Sequence, residues 1–248
     1  MNHLDVYSIS SDKLGNNPAA FLRLLQLADS ALPVGAQAHS FGLETLVADG
    51  TLTAAGLESF FQAYVEELSA VDGWFCRSAY GLAALTDDLL FGSEWLRLNQ
   101  RLSALRTARE SRAASAALGR RFLALVQPVA DHPHLQIAQQ CCRNAATDIH
   151  HATAFGLVGG LLALGEAATT LAFLQQSLNG LLTAMPKLLS IGQSQLTAIL
   201  WGLQAAMVDS AERSRQLAWE DGTIFSFAWG IELASMRHAT LPVRLFIS

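Results

Sequence analysis

LESFFQAYVEELSAV, residues 57–71, sets Leu57, Phe61, Tyr64, Val65 and Leu68 three and four residues apart, with Glu58, Gln62, Glu66 and Glu67 mostly off that stripe. A repeat of that spacing is the signature of an amphipathic helix that buries one face. Outward from this window the same pattern recurs in Ala- and Leu-rich stretches, and almost no stretch alternates β-branched with polar residues as a half-buried strand would. The expected class is all-α. Breaks fall at ALPVG (31–35), Asp49-Gly50, Asp87 to Gly92, Pro128 to Pro133, Gly165 and Pro186, which leaves room for eight to ten helices of ordinary length. Asp209 with Glu212 reads as a capping box opening one of them, and a further helix is expected to end near Ala234.

No tandem repeat or Gly/Ser linker divides the 248 residues, and 51% of them are hydrophobic, so one helical core is expected. The organisation read from the chain is a flexible segment over 1–20, a helical domain over 21–234 and a tail over 235–248. Five of the last eight residues (Leu241, Val243, Leu245, Phe246, Ile247) are apolar, and Pro242 both lacks an N–H and biases Leu241 toward extended backbone. The tail therefore needs a surface to cover it, supplied by its own domain or by a partner.

The net charge of -5, from 16 basic and 21 acidic residues, provides no global field for nucleic acid. The start of the chain lacks the charged and apolar regions of a secretion signal. ATAFGLVGGLLALG (152–165) is charge-free but shorter than the roughly 20 residues that span a bilayer. The three cysteines form no spaced even set. Together these features imply a cytoplasmic protein away from membranes.

Catalytic signatures are missing. There is no G-x-x-x-x-G-K-[ST] phosphate loop, no G-x-S-x-G elbow and no H-E-x-x-H metal helix. The nearest acid–base neighbours, His39 and Glu44, read as turn and packing residues, so the chain is not expected to be an enzyme. His132, His134, Cys141, Cys142, His150 and His151 crowd into twenty positions, and such ligands suit nickel or zinc. A helical metal carrier using His132, His134, Cys141 and Cys142 is thus an alternative, against which stands the lack of C-x-x-C or i,i+4 His spacing. Seven arginines lie between Arg97 and Arg121. At about 100° per residue all but Arg121 fall within about half of one helix circumference, which reads as a solvated basic face.

Four segments carry a resemblance. FLRLLQLADSALPVGAQAHSFGLETLVADG (21–50), ESRAASAALGRRFL (110–123), PKLLSIGQ (186–193) and ASMRHATLPVRLFIS (234–248) resemble, in order, the opening helix with its P-[VI]-G-[AG] turn and S-x-G-L-E, the E-x-R-x-A-S…G-R-x-[FL] helix, the K-x-x-P-L-G-Q element and the M-R-H-x-T-L-x-x-R-L-F ending of the UreF-type urease accessory proteins. Ser190 stands where the third element has proline. The resemblance implies an all-helical homodimeric chaperone that joins a UreD/UreH-type partner, recruits the GTPase UreG and serves nickel insertion into the urease apoprotein. Nickel and GTP would be handled by the partner complex, with no cofactor held by this chain. It also implies roles for His39, Ser40, Gly42, Glu44, Lys187 and Gln193 in dimer or GTPase contacts. Arg237, His238, Leu241, Arg244, Leu245 and Phe246 would bind partners, with Arg244 the residue expected to recruit the GTPase.

Overall fold

The computed structural model describes residues 17–216 and 229–247. Asn17 accepts the amide of Ala20 and Pro18 fixes the first turn, opening α1 (Pro18–Leu27). The chain then runs through a 3₁₀ turn at Ala36–Ala38, α2 (Leu43–Ala48), α3 (Leu57–Leu68), α4 (Trp74–Leu82), α5 (Asp88–Leu105), α6 (Arg109–Ala130) and α7 (Pro133–Asn144). It continues with α8 (His151–Leu161), α9 (Glu166–Ala184), a 3₁₀ turn at Met185–Lys187, α10 (Gln193–Gly202), α11 (Gln204–Arg215) and α12 (Trp229–His238). Every regular element among the described residues is helical, as the spacing predicts. Among the described residues the twelve segments reduce to eleven continuous helices, because a π turn at Ser69–Gly73 joins α3 to α4 without a break. None among the described residues is long and apolar enough to cross a membrane.

The stripe of α3 is buried at Leu57, Phe61, Val65 and Leu68 and half-buried at Tyr64. The charge-free α8 is the centre of the bundle, buried on all faces from His151 to Gly159. It lies against α4, α6 and α9, and its glycines set the approach: a Cβ on Gly156 or Gly160 would fall under 3.0 Å from the carbonyl oxygens of Cys76 and Tyr80, and one on Gly159 would meet Thr169. Phe75, Phe122, Phe155 and Phe173 fill the space around this crossing.

A polar knot fastens α5 and α6 to the start of α8. Fully buried Asn99 accepts the His150 amide (3.0 Å) and the Thr153 hydroxyl (2.7 Å), while the His150 ring lies between the Ser103 and Ser115 hydroxyls. Burial and the nearby charges of Arg106, Arg112 and Arg120 hold His150 well below the ordinary imidazole pKa, and burial with Arg106 takes His151 down to about 4.

Several boundaries differ from the sequence expectation. Of the segment assigned to 1–20, residues 1–16 lie outside the described residues and Pro18–Ala20 already form the first turn of α1. The break expected at Pro128 to Pro133 comes at Asp131, with φ 40°, and Pro128 itself stays inside α6 at the cost of one helical hydrogen bond. Asp209 lies inside α11 and caps nothing there, since an acidic pair three residues apart also suits a solvated helix face. Helix α12 runs past Ala234 to His238. The basic stretch is two helices, broken at Arg106–Ala108, so the single arginine face does not exist. Arg106 turns inward to a buried ion pair with Asp72 of the π turn, Arg112 donates to the Arg106 carbonyl, and Arg109 and Arg120 stay exposed.

Candidate functional site

The turn after α1 needs backbone that glycine supplies. Gly35 and Gly42 have φ of 84° and 90°, and Phe41 between them is held at 51°. Gly42 also permits close contact with α12: a Cβ there would lie 2.7 Å from the Ile231 carbonyl oxygen and 2.9 Å from the Ser235 nitrogen. That contact delivers Glu44, on the first turn of α2, to the end of α12.

Glu44 is buried and fully used. One carboxylate oxygen accepts the Leu245 amide at 2.6 Å, and the other accepts the Phe246 amide at 3.2 Å and lies 2.7 Å from His238 Nε2. The Ile247 amide donates to the Ala38 carbonyl at 2.9 Å, and the Lys187 ammonium stands 5.2 Å from the Phe246 ring centroid. Three segments far apart in the sequence thus meet on the tail: the Gly35–Glu44 turn, Lys187 and the His238–Ile247 ending. Outside the clasp, Glu232 accepts from Thr107 and from the Ala108 amide, tying α12 to the start of α6, and Arg237 pairs with Asp49.

The tail is therefore covered in part by its own domain. Phe246 is 5% exposed, so for this side chain the covering surface is its own domain. Val243, Leu245 and Ile247 point outward, at 72%, 60% and 70% exposure, because binding the tail through its amides leaves those side chains unused. Leu241 is half-buried and Arg244 exposed. His39 and Ser40 are buried beneath the same turn, with the His39 pKa lowered by burial and by Arg121. Gln193 opens α10 in an exposed position, and no hydrogen bond among the described residues joins it to the tail. Below the turn lies a cavity of about 70 Å³, room for a few waters, whose lining includes His39, Phe41, Tyr64, Arg106 and His151.

The histidine and cysteine cluster disperses. His132 caps α7 by accepting the His134 amide at 3.2 Å, and the His134 ring stacks 4.1 Å from that of Phe91. Cys142 is buried, Cys141 packs toward Gly92, and His150 and His151 belong to the core already described. Among the described residues no three His, Cys, Asp or Glu side chains converge to hold a metal ion. Sequence reasoning missed Glu110 and Asp49. Glu110 had a signal, since it opens the E-x-R-x-A-S element, and its Oε2 lies 3.3 Å from His238 Nδ1.

Residues 52–204 match the family model described as UreF. The urease accessory protein UreF of Nostoc sp. is 35% identical over 233 residues, covering 92% of this chain and 96% of that protein. The proteins of the same name from Lachnoclostridium phytofermentans and Geobacillus kaustophilus are each 32% identical, over 229 and 231 residues, with 92% of this chain covered and 98% and 97% of theirs.

Proposed function

We propose that this chain, which belongs to the UreF family of urease accessory proteins, is a non-catalytic cytoplasmic assembly factor. It joins a UreD/UreH-type partner and brings the GTPase UreG to the urease apoprotein for nickel insertion. One observation carries the reading: the separate sequence elements by which the chain resembles the family come together at the C-terminal tail, and the tail turns an apolar row of Val243, Leu245 and Ile247 outward beside exposed Arg244. Apolar side chains arrayed around a guanidinium suit a protein interface better than a small-molecule site. The test is co-purification of the full chain with a UreD/UreH-type protein and UreG. Capture of both, with no GTP hydrolysis by the chain alone, is expected. Failure to capture either partner overturns the reading.

The homodimer has its own support. Helix α1 buries Ala20, Leu24 and Leu27 yet leaves Phe21, Leu22 and Leu25 exposed, so it carries two apolar faces and covers only one. A two-fold contact through the free face would use the same residues on both copies. Light scattering at micromolar concentration is expected to give a dimer, and Phe21→Arg with Leu25→Arg a folded monomer. A monomeric parent protein rules out the dimer.

A further inference from the structure

The turn that receives the end of the tail is tied to the bundle at few points. Its backbone hydrogen bonds are local: the Val34 amide donates to the Leu32 carbonyl at 2.7 Å, Ala38 to Gly35 at 3.2 Å and His39 to Ala36 at 3.3 Å. Bonds between near neighbours shape a turn without fixing it to anything else. Two anchors do that. The Val34 side chain is 1% exposed and plugs into the core. The second comes from α6, where Nη1 of Arg121 donates to the Val34 carbonyl at 3.2 Å across 87 residues of sequence. Among the described residues it is the one hydrogen bond that another helix gives to residues 31–38. The guanidinium is seated where only glycine leaves room, since a Cβ on Gly35 would lie 2.4 Å from the same Nη1. Gly35 is thus needed twice, for its φ of 84° and for this approach. The His39 pKa, lowered first by burial and then by Arg121, places the charge beside the rest of the turn.

We infer that Arg121 is a positioning residue for the C-terminal tail: seated on Gly35, it fixes the Val34 peptide and thereby aims the Ala38 carbonyl at the Ile247 amide. A core side chain such as Val34 sets where the turn sits, but the orientation of its peptide planes needs a directional bond, and a charged donor makes the stronger kind. Glu44 holds Leu245 and Phe246 from α2, on the far side of Gly42. Ala38 holds the next residue, so an Ala38 carbonyl that wanders frees Ile247 and with it one end of the outward row of Val243, Leu245 and Ile247. The docking of the tail concerns the isolated chain; only the consequence for partners rests on the proposed function.

Hydrogen exchange in the full chain at one pH tests it, with the Ile247 amide read against those of α8. Arg121→Met keeps the aliphatic stem and removes the donor, so the Ile247 amide is expected to lose about tenfold or more in protection while α8 keeps its own. Arg121→Lys returns one charged donor and should hold the amide within about threefold of the parent, short of full recovery because an ammonium lacks the planar fork. Full Ile247 protection in Arg121→Met, an equal loss across α8, or a lysine variant as weak as the methionine one overturns the inference. Capture of a UreD/UreH-type protein by the same variants reads the proposed function separately. Weakened capture by Arg121→Met supports both, whereas unchanged capture beside a loosened Ile247 amide counts against the tail as a partner surface and leaves the role of Arg121 standing.

Discussion

Gly156→Ala is expected to destabilise the protein by about 3 kcal/mol or more, at the upper end of overpacking costs, which for a chain of this size corresponds to roughly 6–12 °C in Tm. The added methyl would meet the backbone of Cys76, under 3.0 Å from its carbonyl oxygen, and a backbone cannot step aside as the end of a side chain can. Relief requires α4 and α8 to move apart, and that opens the aromatic packing around Phe75 and Phe155, both essentially unexposed. Gly180 provides the contrast. It also lies within a helix, α9, but a Cβ there meets nothing within 4 Å. Gly180→Ala should raise stability by about 0.4–1 kcal/mol, since alanine narrows the unfolded ensemble and favours helix. Thermal melts of the two variants should move in opposite directions. If Gly156→Ala melts within a degree or two of the parent, the helices are not in backbone contact.

The contrast marks what the sequence does and does not contain. The stripe of α3 and the uncharged run of α8 are legible because side-chain spacing alone sets which face is buried. Gly35 and Gly42 are legible as turn glycines for the same local reason. Gly156 and Gly180 are indistinguishable in the sequence, because the atom that decides between them lies on another helix. Arg106 is the sharper case. Its neighbours read as a solvated basic face, yet the chain breaks at Arg106 and pairs it with Asp72, thirty-four residues away on a π turn that no spacing rule announces. Asp209 misleads in another way, since its spacing to Glu212 suits a helix cap and a solvated helix face alike. The clasp was half legible. Glu44, His238 and Phe246 stand out by resemblance, but a carboxylate accepting amides two hundred residues downstream is a pairing that only the fold makes.

Truncation after Thr240 is expected to abolish capture of both partners while leaving a folded core. Helix α12 and His238 remain, so the tie of Glu232 to Thr107 and Ala108 and the Arg237–Asp49 pair survive. The truncation removes buried Phe246 and leaves Glu44 without the Leu245 and Phe246 amides, a loss of about 2–4 kcal/mol from transfer and an unsatisfied carboxylate. Were that loss enough to unfold the protein, failed capture would be uninformative, and Leu245→Arg separates the cases. The Leu245 amide holds the tail to Glu44, but its side chain is 60% exposed, so arginine keeps the clasp and destroys only the outward apolar row. Its stability should match the parent within about 0.5 kcal/mol, as for most surface changes, with capture of the UreD/UreH-type protein falling by tenfold or more, about 1.4 kcal/mol. Arg244→Ala, at a position that is also exposed, should spare both fold and that partner and weaken recruitment of the GTPase by a similar factor. Pull-downs alongside circular dichroism read all three. If the truncated chain captures both partners as well as the parent does, the outward row is ordinary surface and the tail is a clasp for its own domain only.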